Sequence, residues 1–231
     1  PLKYINLNSI HKTFITALCL LLISYFFLKI TKQGHKIKET VIIQDKSKIR
    51  VSFLYSIFLL GIVTGFQYLP VSLDFPLHMS IVPFTLISNY SLNKKIPNLY
   101  QVLGSIIIFI GIILASIQKE KYTPTFIVGI IALIISSISM SFVAPIMKKE
   151  IPDNINNSFI KTNLMLFDNN FFGIIILGII LILYTIIKKG IPKIIDLIKM
   201  IMVVLFFQYI IYLFYYFSLE KLSINKFLIF S

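Results

Sequence analysis

Seven long apolar runs, cut by short polar breaks, dictate that this chain lives in a bilayer. They occupy residues 14–30, 51–69, 75–92, 99–117, 125–147, 159–187 and 198–219, and a further one starts at 222–231. A helix crosses the hydrocarbon with ~17–25 mostly apolar residues, and most of these runs fall in or near that window. Backbone polar groups cannot stay unpaired in lipid, so only helices or closed barrels span it. A barrel would show alternating segments of about ten residues, and these runs are continuous. The expected fold is therefore all-α, a polytopic transmembrane bundle with about seven to eight spans in view. With 57% hydrophobic residues and a mean hydropathy of +0.89, the chain exceeds the ~45–50% apolar content of a soluble domain.

The breaks are written in Pro, Asn and Lys. Pro70 closes the second run, and Pro76 is expected to open the third, at a position where a missing N–H costs little. Residues 93–98, Asn-Lys-Lys-Ile-Pro-Asn, read as a tight turn. Pro124 precedes the fifth run, and Pro152-Asp153-Asn154 separates the fifth from the sixth. The sixth run is too long for one straight span and is expected to tilt, to bend near Gly173 or to begin outside the hydrocarbon. Gly61 and Gly65 form a GxxxG pair that allows close helix approach. Gly104 and Gly111, seven apart on one face, point to a second close contact.

The formal net charge is +13. In a soluble protein that surplus would favour nucleic acid. Here the lysines sit in the loops between runs, as topology signals do, which speaks against nucleic acid as a partner and makes the lipid bilayer the expected one. The 22 Lys and Arg divide about fourteen to eight between the two sides, with the loop between the first two runs on the richer, cytoplasmic side. One cysteine, Cys19, and three scattered histidines, His11, His35 and His78, exclude an intrachain disulfide and a Cys/His metal site. No metal and no cofactor are expected.

Soluble catalytic and nucleotide motifs are absent: the chain has no P-loop, GxGxxG, HExxH or GxSxG. What remains is polar chemistry at membrane depth, which is expensive there and usually faces a bundle interior or a water-filled cavity. Asp74 and His78 stand at the head of the third run, Asp74 at the interface and His78 one turn further in. Asn163, Asp168, Asn169 and Asn170 crowd the first half of the sixth run and cannot all face lipid. An Asn amide offers paired donor and acceptor groups, the pattern that reads a base edge. Gln67 on the second run and Gln208 with Tyr209 on the seventh form the third group, and a buried Gln needs partners.

The block Phe75-Pro76-Leu77-His78-Met79, the Lys-Lys turn and the following Gln101…Gly104…Gly111…Ser116 helix resemble the drug/metabolite transporter superfamily. Within it the chain looks most like the UDP-N-acetylglucosamine/UDP-xylose group of nucleotide-sugar transporters. Phe167-Asp168-Asn169-Asn170 falls where related transporters carry a Phe-Tyr-Asn-Asn motif that contacts the base, and Gln208-Tyr209 falls on a Gln-Tyr pair. The resemblance makes the seven runs the second to eighth helices of ten. It implies two inverted repeats with substrate between them, and residues 1–231 as one transporter domain lacking the first and the last two helices. Three positions depart from the pattern: Gly65-Phe66 replaces an Asn pair, Val82 replaces an Arg, and Asp168 replaces the motif Tyr.

The resemblance further implies no enzyme activity. It implies an antiporter of the Golgi or endoplasmic reticulum membrane that exchanges a UDP-sugar, UDP-N-acetylglucosamine foremost, for UMP, with a homodimer admitted. His78, Asp168, Asn169, Asn170, Gln208 and Tyr209 would bind the substrate. The alternatives are a proton-coupled exporter of the same superfamily, with Asp168 or His78 carrying the proton, a membrane-embedded transferase acting on lipid-linked sugars, and a decayed, non-transporting fragment.

Overall fold

The computed structural model describes residues 7–34, 46–116, 123–150, 158–188, 193–210 and 214. Among them there is no strand. The helices are α1 (Ser9–Ile30), α2 (Lys46–Tyr68), α3 (Val71–His78), α4 (Ile81–Asn93), α5 (Leu99–Ser116), α6 (Pro124–Glu150), α7 (Ser158–Lys188) and α8 (Ile194–Val203), the last continued by a π-helical turn, Val204–Gln208. Four of the described helices hold segments long and apolar enough to cross a membrane: Ser9–Ile30, Lys46–Tyr68, Pro124–Val143 and Phe159–Ile187. The chain is a membrane-embedded helical protein. The break at 152–154, residues 211–213 and 215–219 of the seventh run and the segment 222–231 lie outside the described residues.

Helix ends follow local chemistry. Asn8 caps α1, its side chain accepting the His11 N–H at 2.9 Å, so the helix starts before the apolar run itself does. The turn at 93–98 forms as expected. Lys94 takes a left-handed conformation (φ 53°) and its N–H returns to the Tyr90 carbonyl. Asn98 and Gln101 then exchange side-chain and backbone hydrogen bonds, both at 2.9 Å, a reciprocal cap that starts α5. The sixth run is one continuous helix, α7, of 31 residues.

The third run corrects the expectation. It is two helices, α3 and α4, and Pro76 lies inside α3 instead of opening it. Pro70 does the opening, its carbonyl accepting the N–H groups of Leu73 and Asp74. Pro83 explains the break at Met79-Ser80: it has no N–H for the Met79 carbonyl and its ring would press against that group. The chain answers with tighter i→i−3 bonds, Ser80 to Leu77 and Val82 to Met79.

Helix α2 is the centre of the packing. It lies against α6 most extensively, and also touches α7, α1 and α3. Helix α1 pairs with α7 and carries α8, while α4 packs on α6, and α5 covers α3 and α4. The GxxxG face of α2 makes its closest approach to α6. A Cβ at Gly61 would stand 2.5 Å from the Ala132 carbonyl oxygen and 2.7 Å from Ser136 Cβ, and one at Gly65 would strike the Leu133 side chain. Gly104 and Gly111 do not form the second contact: no described atom lies within 4 Å of where their Cβ atoms would be.

Buried serines of α6 tie three helices together. Ser136 Oγ donates to the Phe58 carbonyl of α2 at 3.0 Å and Ser137 Oγ to the His78 carbonyl of α3 at 3.4 Å. Pro145 leaves the Ser141 carbonyl without its helical N–H, and Ser88 Oγ of α4 donates to that carbonyl at 2.6 Å. Ser88→Ala strands this carbonyl in an apolar interior, a loss of about 1–2 kcal/mol. A thermal melt of the purified variant in detergent should fall measurably below the parent; an unchanged melt would mean that water or another donor already serves the carbonyl.

Candidate functional site

Helix α7 brings its polar residues into the bundle. Asn163, Asn169 and Asn170 are all buried. Asn163 Nδ2 donates to the Phe159 carbonyl at 2.9 Å, and Asn163 Oδ1 accepts the Tyr209 hydroxyl at 2.9 Å. Asn170 Nδ2 donates to the Leu166 carbonyl at 2.7 Å, while Asn170 Oδ1 is buried without a partner. Asn163 and Asn170, seven positions apart, share a helix face. Asp168 points elsewhere: its Oδ2 stands 3.5 Å from Lys48 Nζ of α2, and its carbonyl accepts Ser52 Oγ at 3.3 Å. Gly173 lets α2 come close, since a Cβ there would meet Ser56 Oγ at 3.0 Å.

Of the predicted residues, Asp168, Asn169, Asn170 and Tyr209 therefore collect around α7, with Tyr209 reaching it through Asn163. Gln208 falls in the π-helical turn, and its side chain lies outside the described residues. Seating five residues in a π turn re-aims the side chains that follow, and such turns occur often at functional sites.

His78 stands apart from this group. Its ring lies 6.3 Å from the Phe58 ring, tilted by 36°, and its carbonyl takes the Ser137 bond. Its Nδ1 is buried without a partner, as are Asp74 Oδ1 one turn earlier and Ser80 Oγ just past the break. Asp74 is 2% exposed, so its carboxylate is enclosed by the packing. Asp74 and His78, four apart on α3, share a face. The site thus has two halves, one on α7 and one at the α3–α4 break, with α2 between them: Ser52 faces the first and Phe58 the second.

A third polar group sits at the other end of α2. Gln67 Oε1 accepts Ser9 Oγ at 3.1 Å and Lys12 Nζ at 3.4 Å. Lys12 is 1% exposed, and Asp196 of α8 is 6% exposed. By sequence Lys12 belongs with the topology lysines outside the first run. The cap signal at Asn8 places it inside α1, and Gln67 of α2 meets it there. Among the described residues, no group of three or more His, Cys, Asp or Glu side chains could hold a metal ion.

No family model, no curated protein and no solved structure matches this chain.

Proposed function

We propose that this chain is a nucleotide-sugar antiporter of the Golgi or endoplasmic reticulum membrane, moving UDP-N-acetylglucosamine or a related UDP-sugar in exchange for UMP. The observation that carries the reading is the buried Asn cluster of α7 inside a membrane-length helix, with the Asn170 side-chain Oδ1 left unpartnered. A polar group at that depth is expensive unless something uses it, and paired amide donors and acceptors suit the edge of a uracil ring. Asn169 and Asn170 then read the base, Tyr209 lines the wall, and His78 meets the sugar or phosphate from the α3–α4 break.

The reading carries two inverted repeats, in which α1 answers α7 and α2 answers α8. Broken helices at the repeat interface, such as α3–α4, are a recurrent way to build a transport site. Asp168, held by Lys48, serves this reading as a structural anion beside the base site.

The test is exchange in proteoliposomes. Vesicles loaded with UMP should take up labelled UDP-N-acetylglucosamine well above empty liposomes, and uptake should stop when UMP is omitted inside. Uptake no higher than protein-free vesicles refutes the proposal. A second reading, proton-coupled export, is favoured by the unpartnered Asp74 Oδ1 and His78 Nδ1. It predicts transport that collapses with an uncoupler and ignores internal UMP.

A further inference from the structure

Three buried polar atoms without a partner lie at the α3–α4 break: Asp74 Oδ1, His78 Nδ1 and Ser80 Oγ. Asp74 is 2% exposed and Ser80 is 4% exposed. Asp74 and His78 both belong to α3, and residues four apart on a helix hold their Cβ atoms about 5–6 Å from each other on one face. Close as they are, Asp74 Oδ1 and His78 Nδ1 do not bond each other.

The charge on this face depends on what surrounds it. Helices α2, α5 and α6 pack against α3. The ionisable residues of α2 are Lys46, Lys48, Arg50, Tyr55 and Tyr68. Its three cations stand more than two helical turns before Phe58, which meets the His78 ring. Helix α5 carries only Tyr100, which is 83% exposed. Helix α6 carries Lys148, Lys149 and Glu150, about three turns or more past Ser137, which bonds the His78 carbonyl. Helix α4, beyond the break, carries only Tyr90. Among the described residues no cationic side chain makes an ion pair with Asp74. An ionised carboxylate alone in an apolar interior is far too costly to keep. The resting face is therefore neutral: the Asp74 carboxyl holds a proton and the His78 imidazole is uncharged.

We propose that Asp74 stores a proton for His78 and hands it over when the phosphate of a nucleotide docks. With Nε2 of His78 protonated, Nδ1 is the acceptor. As a phosphate oxygen nears Nε2–H, the O–H bond of Asp74 breaks and an N–H bond forms at Nδ1. The product is an imidazolium between two anions, with Nδ1–H donating to the Asp74 carboxylate and Nε2–H to the phosphate. Ser80 Oγ adds a hydroxyl donor at the break for the carboxylate that results. One proton moves, none is drawn from solution, and release of the phosphate returns it to Asp74. Asp74 is thus a positioning residue that acts through His78. The inference rests on the antiporter reading, in which His78 meets the phosphate. It differs from proton-coupled export because the proton never crosses the membrane.

The test uses the full chain in proteoliposomes. Infrared spectra of the resting protein at neutral pH should show a protonated carboxyl stretch that Asp74→Asn removes. Saturating UMP should remove the same band from the parent. His78→Gln has no proton acceptor, so its band should survive UMP. Asparagine closely matches a neutral carboxyl, and Asp74→Asn should melt near the parent. Should it fail to fold, parent and His78→Gln, compared with and without UMP, carry the same test.

Exchange of labelled UDP-N-acetylglucosamine for UMP supplies the pH profile. The parent carries its own proton and should hold its rate across neutral pH. Asp74→Asn leaves His78 to draw a proton from solution, so its rate should fall about tenfold per unit once the pH passes the ordinary imidazole value of ~6.5. A resting chain with no carboxyl band sensitive to Asp74→Asn, a parental band that saturating UMP leaves in place, or a band that UMP removes from His78→Gln overturns the stored proton. So do matching pH profiles for the parent and Asp74→Asn. If the parent exchanges no UDP-N-acetylglucosamine yet loses its band to UMP, the antiporter reading falls and the stored proton stands.

Discussion

Gly61→Leu is expected to destroy the seating of α2 on α6. A Cβ at this position already stands 2.5 Å from a backbone oxygen, Ala132 O, and a backbone carbonyl in a helix cannot rotate away as a side-chain tip can. The two helices must separate to admit any side chain. That separation also pulls Ser136 Oγ from the Phe58 carbonyl. Overpacking alone commonly costs ~1–3 kcal/mol and at times more, a large share of the ~5–15 kcal/mol that holds an average domain together. Fluorescence-detected size exclusion should show little folded monomer for the variant. Gly104→Leu is the control: with no described atom within 4 Å of its Cβ site, it should behave within about 0.5 kcal/mol of the parent. Equal melts for the two variants would contradict the α2–α6 interface described above.

Asn170→Leu carries the largest functional effect. The side chain is fully enclosed, and its Oδ1 lacks a partner, so leucine removes an unsatisfied polar atom as well as the Leu166 bond. The fold should survive with a melt near that of the parent. Exchange should not, because a substrate amide or carbonyl that loses its partner in a dry site forfeits ~2–3 kcal/mol, which is ~30–150-fold in rate or affinity. Initial rates of UDP-N-acetylglucosamine uptake at matched protein density are the measurement. Parental uptake by a folded Asn170→Leu variant would place the base elsewhere.

The apolar runs at 14–30, 51–69, 125–147 and 159–187 were legible as helices because each reaches the ~17 residues that a span needs and its hydropathy needs no partner to interpret. The α3–α4 break was equally written in the sequence, at Pro83, but a proline among apolar residues reads as part of the run unless its missing hydrogen bond is followed back to Met79. The two glycine pairs look alike on paper. One packs against backbone and the other against nothing described, because close approach belongs to two helices and glycine spacing describes only one. Asp74 stands at the head of an apolar run, and only the packing reveals that its carboxylate is enclosed. Lys12 reads as a topology charge, yet it is buried and meets Gln67 of α2, 55 positions away in the chain.

Which segments become helices, and that they do so in a membrane, was determined by the sequence alone. Backbone hydrogen bonds within a helix are local, and the transfer of apolar side chains into hydrocarbon sums residue by residue. The meeting of polar groups was decided only by the tertiary structure. Lys48 finds Asp168, Lys12 finds Gln67 and Tyr209 finds Asn163 because neighbouring helices settle at particular rotations and depths against one another. Those rotations follow from contacts such as Gly61 on Ala132 and Ser88 on the carbonyl beneath Pro145. A contact of that kind joins residues dozens of positions apart, and no local pattern in either segment encodes its partner.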